Sequence, residues 1–302
     1  MFLRQLEYLV ALDQQRHFGR AAESCWVSQP TLSDGIRKLE KEFGVAIVRR
    51  AHHFEGFTPE GERLLAWARQ LLAERDNLAA ELGSLRDGLS GKLRLGVIPT
   101  ALPVLSMLTQ PLHERHPLVR ASILSLTSRE IHRGLSRFEL DAGLTYLSDT
   151  PPDLRAVPLY EERYLLLCRR DGPLAERASV TWEEAAAQPL CLLTPDMQNR
   201  RIIDAMFAEV NATPQVGIET NSVSTLCSHV SHAGWSTVIP HAWLRLLGTP
   251  PGTRVLRLAE PQPSSTVGVI VQQREPPPLL AGALLEVVTE IDVQQELDAM
   301  LR

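Results

Sequence analysis

The stretch "SQPTLSDGIRKLEKEFG", Ser28–Gly44, constrains the chain more than any other, because it carries a start signal and a stop signal for one short helix. Ser28 can cap that helix, Pro30 suits its first turn, and Gly44 can take the left-handed position after its last turn. Leu32, Ile36, Leu39 and Phe43 recur at spacings of four, three and four, which marks one buried stripe. Gln29, Thr31, Ser33, Asp34, Arg37 and Lys41 lie off that stripe. Just upstream, "HFGRAAESCWV" reads as a second short helix, with Ala21 and Ala22 small enough for another helix to pack close. Only the turn around Trp26–Ser28 separates the two. Two short helices, a tight turn, and a second helix rich in groove-sized donors predict a helix-turn-helix.

The next segment, "VAIVRRAHHFEGFTPEG", predicts a hairpin wing: a short apolar strand, Arg49–Arg50, a loop with His52 and His53, and a return through Phe57. From Ser28 to Arg50 the basic residues Arg37, Lys38, Lys41, Arg49 and Arg50 face Asp34, Glu40 and Glu42, an excess of only two positive charges. Geometry therefore argues more strongly than charge. The formal net charge of -5 over 302 residues excludes a general polyanion binder, so any nucleic-acid contact must come from a local patch. The competing reading of the helix is a mixed-charge surface that simply faces water.

Beyond the wing, Thr58 is a good cap and Pro59 a good first residue for a longer helix. Leu64, Ala68, Leu71, Arg75, Leu78, Leu82, Leu85 and Leu89 follow in steps of four and three, a heptad seam interrupted only by Arg75. From Pro59 to Leu89 such a helix would extend roughly 45 Å at about 1.5 Å per residue. One apolar seam on so long a helix needs a partner: its own chain, or a second copy in a dimer, which is the favoured reading.

At 44% hydrophobic and 22% charged, the chain has ordinary globular composition and enough length for two or three cored domains. Its N-terminus lacks the uninterrupted apolar run of a signal peptide, and no stretch is apolar for long enough to span a membrane. Cys25, Cys168, Cys191 and Cys227 form no CxxC pair, so neither disulfides nor a structural zinc site is expected, and a cytoplasmic setting fits.

The first 90 residues resemble the DNA-binding module of the LysR-type transcriptional regulators. The resemblance rests on "LRQLEYLVAL", on "HFGRAAESCWVSQPTLSDGIRKLEKEFGVAIVRR" and on "FTPEGERLL" entering the linker helix. Departures are Cys25, where Leu is common in the family, Val48, where Phe is common, and Asp34, where a basic or neutral polar residue is frequent. The first two are core changes. Asp34 bears on the target, because a carboxylate repels phosphate yet can accept from a cytosine amino group. The resemblance implies a DNA-contacting set of Ser28, Gln29, Pro30, Thr31, Ser33, Asp34, Arg37, Lys38, Arg49, Arg50, His52 and His53. It also implies double-stranded promoter DNA and RNA polymerase as partners, and a homotetramer built from dimers.

The rest of the chain alternates strand and helix. "GKLRLGVIPTALPVL", "VRASILSL" and "AGLTYL" alternate with helical stretches, as do "RYLLLCRR", "PLCLLT", "QVGIET" and "WSTVIP", and "STVGVIVQQ" adds a late strand. This predicts parallel sheets with crossover helices. The overall expectation is α/β: a winged helix-turn-helix over 1–58, a linker or dimerisation helix over 59–90, and an effector-binding domain over 91–302. That domain would divide into lobe I, 91–161 with 267–302, and lobe II, 162–266. The two lobes resemble the effector domain of the same regulators, which is built like a periplasmic binding protein.

Ligands of such folds lie at the carboxyl ends of strands, where helix N-termini point. Thr100 with Ala101 and Leu102, Thr127, Ser128, Thr145, Thr194 and Asn199 stand at those positions as candidate effector contacts, and each could equally be a plain helix cap. Arg129, Arg200 and Arg201 are the nearby cations, too few for a tricarboxylate, so a small anion or carboxylate is expected and no cofactor. "CSHVSH" puts Cys227, His229 and His232 close together, but without a fourth ligand this reads as helix packing rather than a metal site. No GxSxG elbow, P-loop or GxGxxG fingerprint occurs. The alternative function is a small-molecule binding protein or enzyme whose helical N-terminus merely dimerises.

Overall fold

The computed structural model describes residues 3–50, 54–174, 176–263, 265–274, 276 and 278–301, without the side chains of Arg50 and Asp87. The chain forms two compact units: residues up to Gly88 with Arg137–Glu139, and Leu89–Ser136 with Leu140–Arg302.

The first unit contains α1 (Leu3–Gln15), α2 (Phe18–Ser24), α3 (Gln29–Phe43), strands β1 (Val48–Arg50) and β2 (Phe54–Phe57), and α4 (Pro59–Asp87). Leu6, Leu9 and Leu12 of α1, Ala21 and Ala22 of α2, and Leu32, Ile36 and Leu39 of α3 meet in one core. A Cβ on Gly35 would lie 2.6 Å from the Tyr8 ring, so α1 and α3 cross where only a hydrogen fits. Ser28 Oγ accepts from the Thr31 amide at 3.3 Å and Gly44 ends α3 at φ 68°, so both helix signals act as such. Phe43 departs from the expected stripe: in the last turn its ring runs past the edge of the core and is 46% exposed.

β1 and β2 pair antiparallel with Val48 opposite Phe57, giving the wing. Glu40 Oε1 accepts from the amides of Ile47 (3.0 Å) and Val48 (3.2 Å), tying the wing's base to α3. Thr58 Oγ1 donates to the Ala46 carbonyl at 2.6 Å and accepts from the Gly61 amide at 2.9 Å, so one side chain anchors the wing's exit and caps α4. Along α4, Leu65 and Ala68 are buried in this core, whereas Leu78, Leu82 and Leu85 are exposed by 56%, 57% and 79%. Leu89 is not part of that seam, because α4 stops at Gly88 and Leu89 packs on the core of the second unit.

The second unit begins with β3 (Ser90–Val97), a 3-10 turn (Pro99–Val104), α5 (Leu105–Arg115), β4 (Leu118–Ser125), α6 (Ser128–Ser136), β5 (Ala142–Tyr146) and β6 (Leu154–Glu162). It crosses to β7 (Tyr164–Arg169), β8 (Ser179–Val180), α7 (Trp182–Ala186), β9 (Pro189–Leu193), α8 (Gln198–Glu209) and β10 (Gln215–Thr220). Then come α9 (Val223–Ala233), β11 (Thr237–Pro240), α10 (Trp243–Leu247), β12 (Thr253–Leu258), β13 (Ser265–Gln272), α11 (Leu279–Glu290) and α12 (Val293–Ala299). One sheet has the order β4-β3-β5-β13-β6; the other lobe holds β11-β7-β12-β8 and the parallel pair β10-β9. β3 runs parallel to β4 and β5, joined by crossover helices, while the returning β13 is antiparallel to both its neighbours. The chain passes between lobes twice, at Arg163 and between β12 and β13, so the carboxyl ends of β3, β5 and β9 gather where the lobes meet. No described helix is long and apolar enough to cross a membrane.

Candidate functional site: DNA-reading helix and interlobe pocket

Burying Leu32, Ile36 and Leu39 turns the opposite face of α3 outward. Ser28, Gln29, Pro30, Thr31, Asp34, Arg37 and Lys38 are exposed, Ser33 is half-buried, and Arg49 is exposed on the wing. Arg37 Nη1 lies 3.2 Å from Asp34 Oδ1, both side chains open to solvent. The carboxylate of this face is therefore paired with its central arginine. The backbone of Arg50 continues β1, and His52 and His53 lie outside the described residues.

In the second unit, Thr100, Thr127, Ser128 and Asn199 come together from the turn after β3, the start of α6 and the start of α8. Ile98, Pro99, Tyr146, Leu193, Met197 and Gln198 complete the wall of a pocket with about 10 Å³ of free space, close to what one water requires. Thr127 caps α6: it accepts from the Glu130 amide (3.2 Å) and donates to Glu130 Oε2 (2.9 Å), while its own amide donates to that carboxylate. Thr145 is fully buried behind the wall and donates to Ser128 Oγ at 2.9 Å. Three other candidates stand apart from this lining: Ala101 is in the lobe I core, Leu102 packs against it, and the Thr194 carbonyl accepts from the Met197 amide in a turn.

Ser128 and Gln198 are shared with a wider hollow of about 570 Å³, which Arg129, His132, Asp149 and Arg201 also line. Burial lowers His132 below the usual histidine range. Arg200 does not serve this hollow. It is buried and donates to the Leu193 carbonyl (2.7 Å), Glu219 (2.8 Å) and Asp204 (2.8 Å), stapling β9, β10 and α8 together.

Behind the pocket stands a group that periodicity does not expose. Glu162, buried at the end of β6, accepts at Oε2 from the hydroxyls of Tyr146 and Tyr164, each at 2.6 Å. Tyr146 Oη in turn lies 3.3 Å from Thr100 Oγ1 and receives Asn199 Nδ2 at 3.3 Å. Burial pushes the Glu162 carboxyl up to about 7, against the opposing pull of hydrogen bonds from Tyr146, Tyr164 and Asn199. Nearby, burial brings His241 down to about 4; its Nδ1 accepts from the Arg163 amide at 3.1 Å, so the neutral ring carries its proton on Nε2. The only sequence signal for Glu162 is an acid beside the apolar run "YLLLC", which is a weak one.

All four cysteines are free. Burial raises each thiol, Cys191 to about 11, and Cys25, Cys168 and Cys227 upward. Among the described residues no group of three His, Cys, Asp or Glu side chains is placed to hold a metal ion, and His229 Nδ1 instead meets the Thr225 carbonyl at 2.8 Å.

A winged helix-turn-helix followed by a two-lobed α/β domain with a polar pocket is the build of a ligand-responsive DNA-binding regulator. Residues 3–62 match the family model "Bacterial regulatory helix-turn-helix protein, lysR family", and residues 86–291 match "LysR substrate binding domain". The chain belongs to the LysR family of DNA-binding transcriptional regulators, which are not enzymes. That removes the alternative of an enzyme or plain binding protein with a dimerising N-terminus.

Over 282 residues the chain is 32% identical to the "Hydrogen peroxide-inducible genes activator" of Escherichia coli O6:H1, covering 91% of each. Its fold is similar to that of a full-length OxyR variant from Pseudomonas aeruginosa, with TM-score 0.76 and 30% identity, covering 95% of this chain and 97% of that one. CbnR, solved in complex with its target DNA, shares the fold at TM-score 0.70 and 18% identity, over 96% of this chain and 99% of that one.

Proposed function

We propose that this regulator docks α3 in the major groove of promoter DNA, as a dimer joined along α4 and a tetramer built from such dimers. The division of labour is a DNA module over 1–58, a linker helix over 59–90 and an effector domain over 91–302. Gln29, Thr31, Ser33 and Arg37 are nearest the base edges; Ser28, Pro30, Asp34 and Lys38 flank them, and Arg49, Arg50, His52 and His53 meet the backbone. A small molecule held between the lobes changes the arrangement of the dimers and so their contacts with RNA polymerase. The exposed polar face of α3, opposite a tightly packed apolar one, carries this reading. Selection from random DNA followed by anisotropy titration tests it. Arg37→Ala is expected to weaken binding to the selected sequence by about 1–3 kcal/mol with the pocket's ligand response retained; equal affinity in wild type and variant would refute it.

The effector is a small anion or carboxylate bound reversibly, its charge facing Arg129, Arg201 and the starts of α6 and α8. Relatives carry names that refer to hydrogen peroxide, which raises thiol oxidation as a second reading. The raised thiols speak against it here, since the thiolate is the reactive form, and no cysteine is among the residues that line the two hollows. The expected outcome is a DNA footprint that peroxide leaves unchanged; a peroxide response lost in a variant with all four cysteines changed to serine would favour thiol chemistry instead.

A further inference from the structure

The hydrogen-bond order around Tyr146 sets the polarity of the pocket's inner end. A phenol has one proton to give. That of Tyr146 is committed to Glu162 Oε2 across 2.6 Å, and the second tyrosine, Tyr164, gives its own proton to the same oxygen. Toward its other neighbours Tyr146 Oη can only accept. Asn199 Nδ2 supplies one donor at 3.3 Å, and of the Thr100–Tyr146 pair, whose hydroxyls also lie 3.3 Å apart, only Thr100 has a proton left to give. With its proton spent on Tyr146, Thr100 Oγ1 has only lone pairs left for the pocket. This order is that of the ionised carboxylate, whose Oε2 accepts from both tyrosines.

We infer that Glu162 is a positioning residue for the ligand: acting through Tyr146 and Thr100, it makes the pocket's inner end an acceptor that selects a hydroxyl or amine group over a carbonyl or carboxylate oxygen. This rests on the interlobe ligand site proposed above and names the chemistry of its deep end. The outer end, with Arg129 and Arg201, suits negative charge. Together the two ends select a small hydroxy acid entered hydroxyl first. The observed 10 Å³ is too small for one, so binding separates the lobes there. Separation withdraws Asn199 from Tyr146, and a donor on the ligand replaces the bond that was lost.

Two measurements on the full-length protein test the inference. Neutron diffraction from crystals exchanged into heavy water locates the deuterons directly. The expected map has the Tyr146 deuteron toward Glu162 and the Thr100 deuteron toward Tyr146; a Thr100 deuteron directed into the pocket, or a Tyr146 deuteron on Thr100, overturns it. Calorimetric titration with lactate against pyruvate, and glycolate against glyoxylate, then compares probes that differ in one donor. Wild type is expected to favour each hydroxy acid by about tenfold or more, the discrimination a site built around a hydrogen bond can impose. Glu162→Gln keeps an acceptor for both tyrosines and should keep the preference, whereas Glu162→Leu and Tyr146→Phe should lose it. Keto acids that bind wild type equally well, or a preference unchanged in both Glu162→Leu and Tyr146→Phe, would overturn the proposal. If no probe binds at all, the anionic-ligand reading loses its smallest candidates, and the deuteron positions still decide the hydrogen-bond order.

Discussion

Arg37 and Asp34 form an exposed pair, worth at most a few tenths of a kcal/mol to folding, so its interest lies in binding. To reach a guanine edge the guanidinium must leave the carboxylate, and the carboxylate must then find a donor of its own or face phosphate. Asp34→Asn is therefore expected to tighten binding to unrelated DNA several-fold while reducing the preference for the selected site, read by anisotropy at fixed salt. Glu162 offers a second residue-level test. Its folded carboxyl titrates near 7, above the unfolded value, so its effect on stability is most favourable at low pH and declines as pH rises toward 7. His241, held near 4, acts in the opposite sense: stability is lost as pH falls from its unfolded value of about 6.5 toward 4. The two slopes oppose each other between about pH 4.5 and 6.5. Glu162→Gln removes one of them, so its unfolding free energy should climb with pH by up to about 1.4 kcal/mol per unit in that range, against a flatter wild type. Equal slopes in urea melts would contradict this. Neither group is legible in the sequence, because desolvation depends on neighbours brought from β5, β7 and α8 rather than on local pattern.

At the scale of elements, the parts set by local chemistry are readable. Ser28, Gly44 and Thr58 mark helix ends by hydrogen bonds and backbone conformations that their own side chains dictate, and all three do so in the structure. Apolar periodicity is less decisive, since it reports a face without saying what covers it. It carries the α3 stripe one residue too far, to Phe43, and runs the α4 seam past Gly88 to Leu89. On α4 it marks Leu78, Leu82 and Leu85, which the first unit leaves open to solvent. A run of exposed leucines at heptad spacing is costly for an isolated chain and fits a dimer seam. Leu82→Asp is expected to shift sedimentation from the oligomer toward the monomer and to lower DNA affinity at least tenfold, while the circular dichroism of the folded protein stays intact. A variant that still sediments as the oligomer would place the seam elsewhere.

For the whole molecule, alternation of strand and helix predicts two α/β lobes, and family membership agrees with the architecture. The pocket is only partly legible. Thr100, Thr127, Ser128 and Asn199 stand out because strand ends and helix starts carry recognisable residues; Tyr146 and Glu162 do not, because a buried aromatic and a lone acid look like core and surface respectively. What the two lobes do for transcription depends first on whether α3 reads DNA in pairs. A hydroxyl-radical footprint on a selected operator measures that directly. Paired protected patches are expected, with centres about 10 base pairs apart or a multiple of that, lost together in Arg37→Ala and reduced to weak single patches in Leu82→Asp. A single patch in the wild type, or a pattern that Arg37→Ala leaves intact, would contradict it.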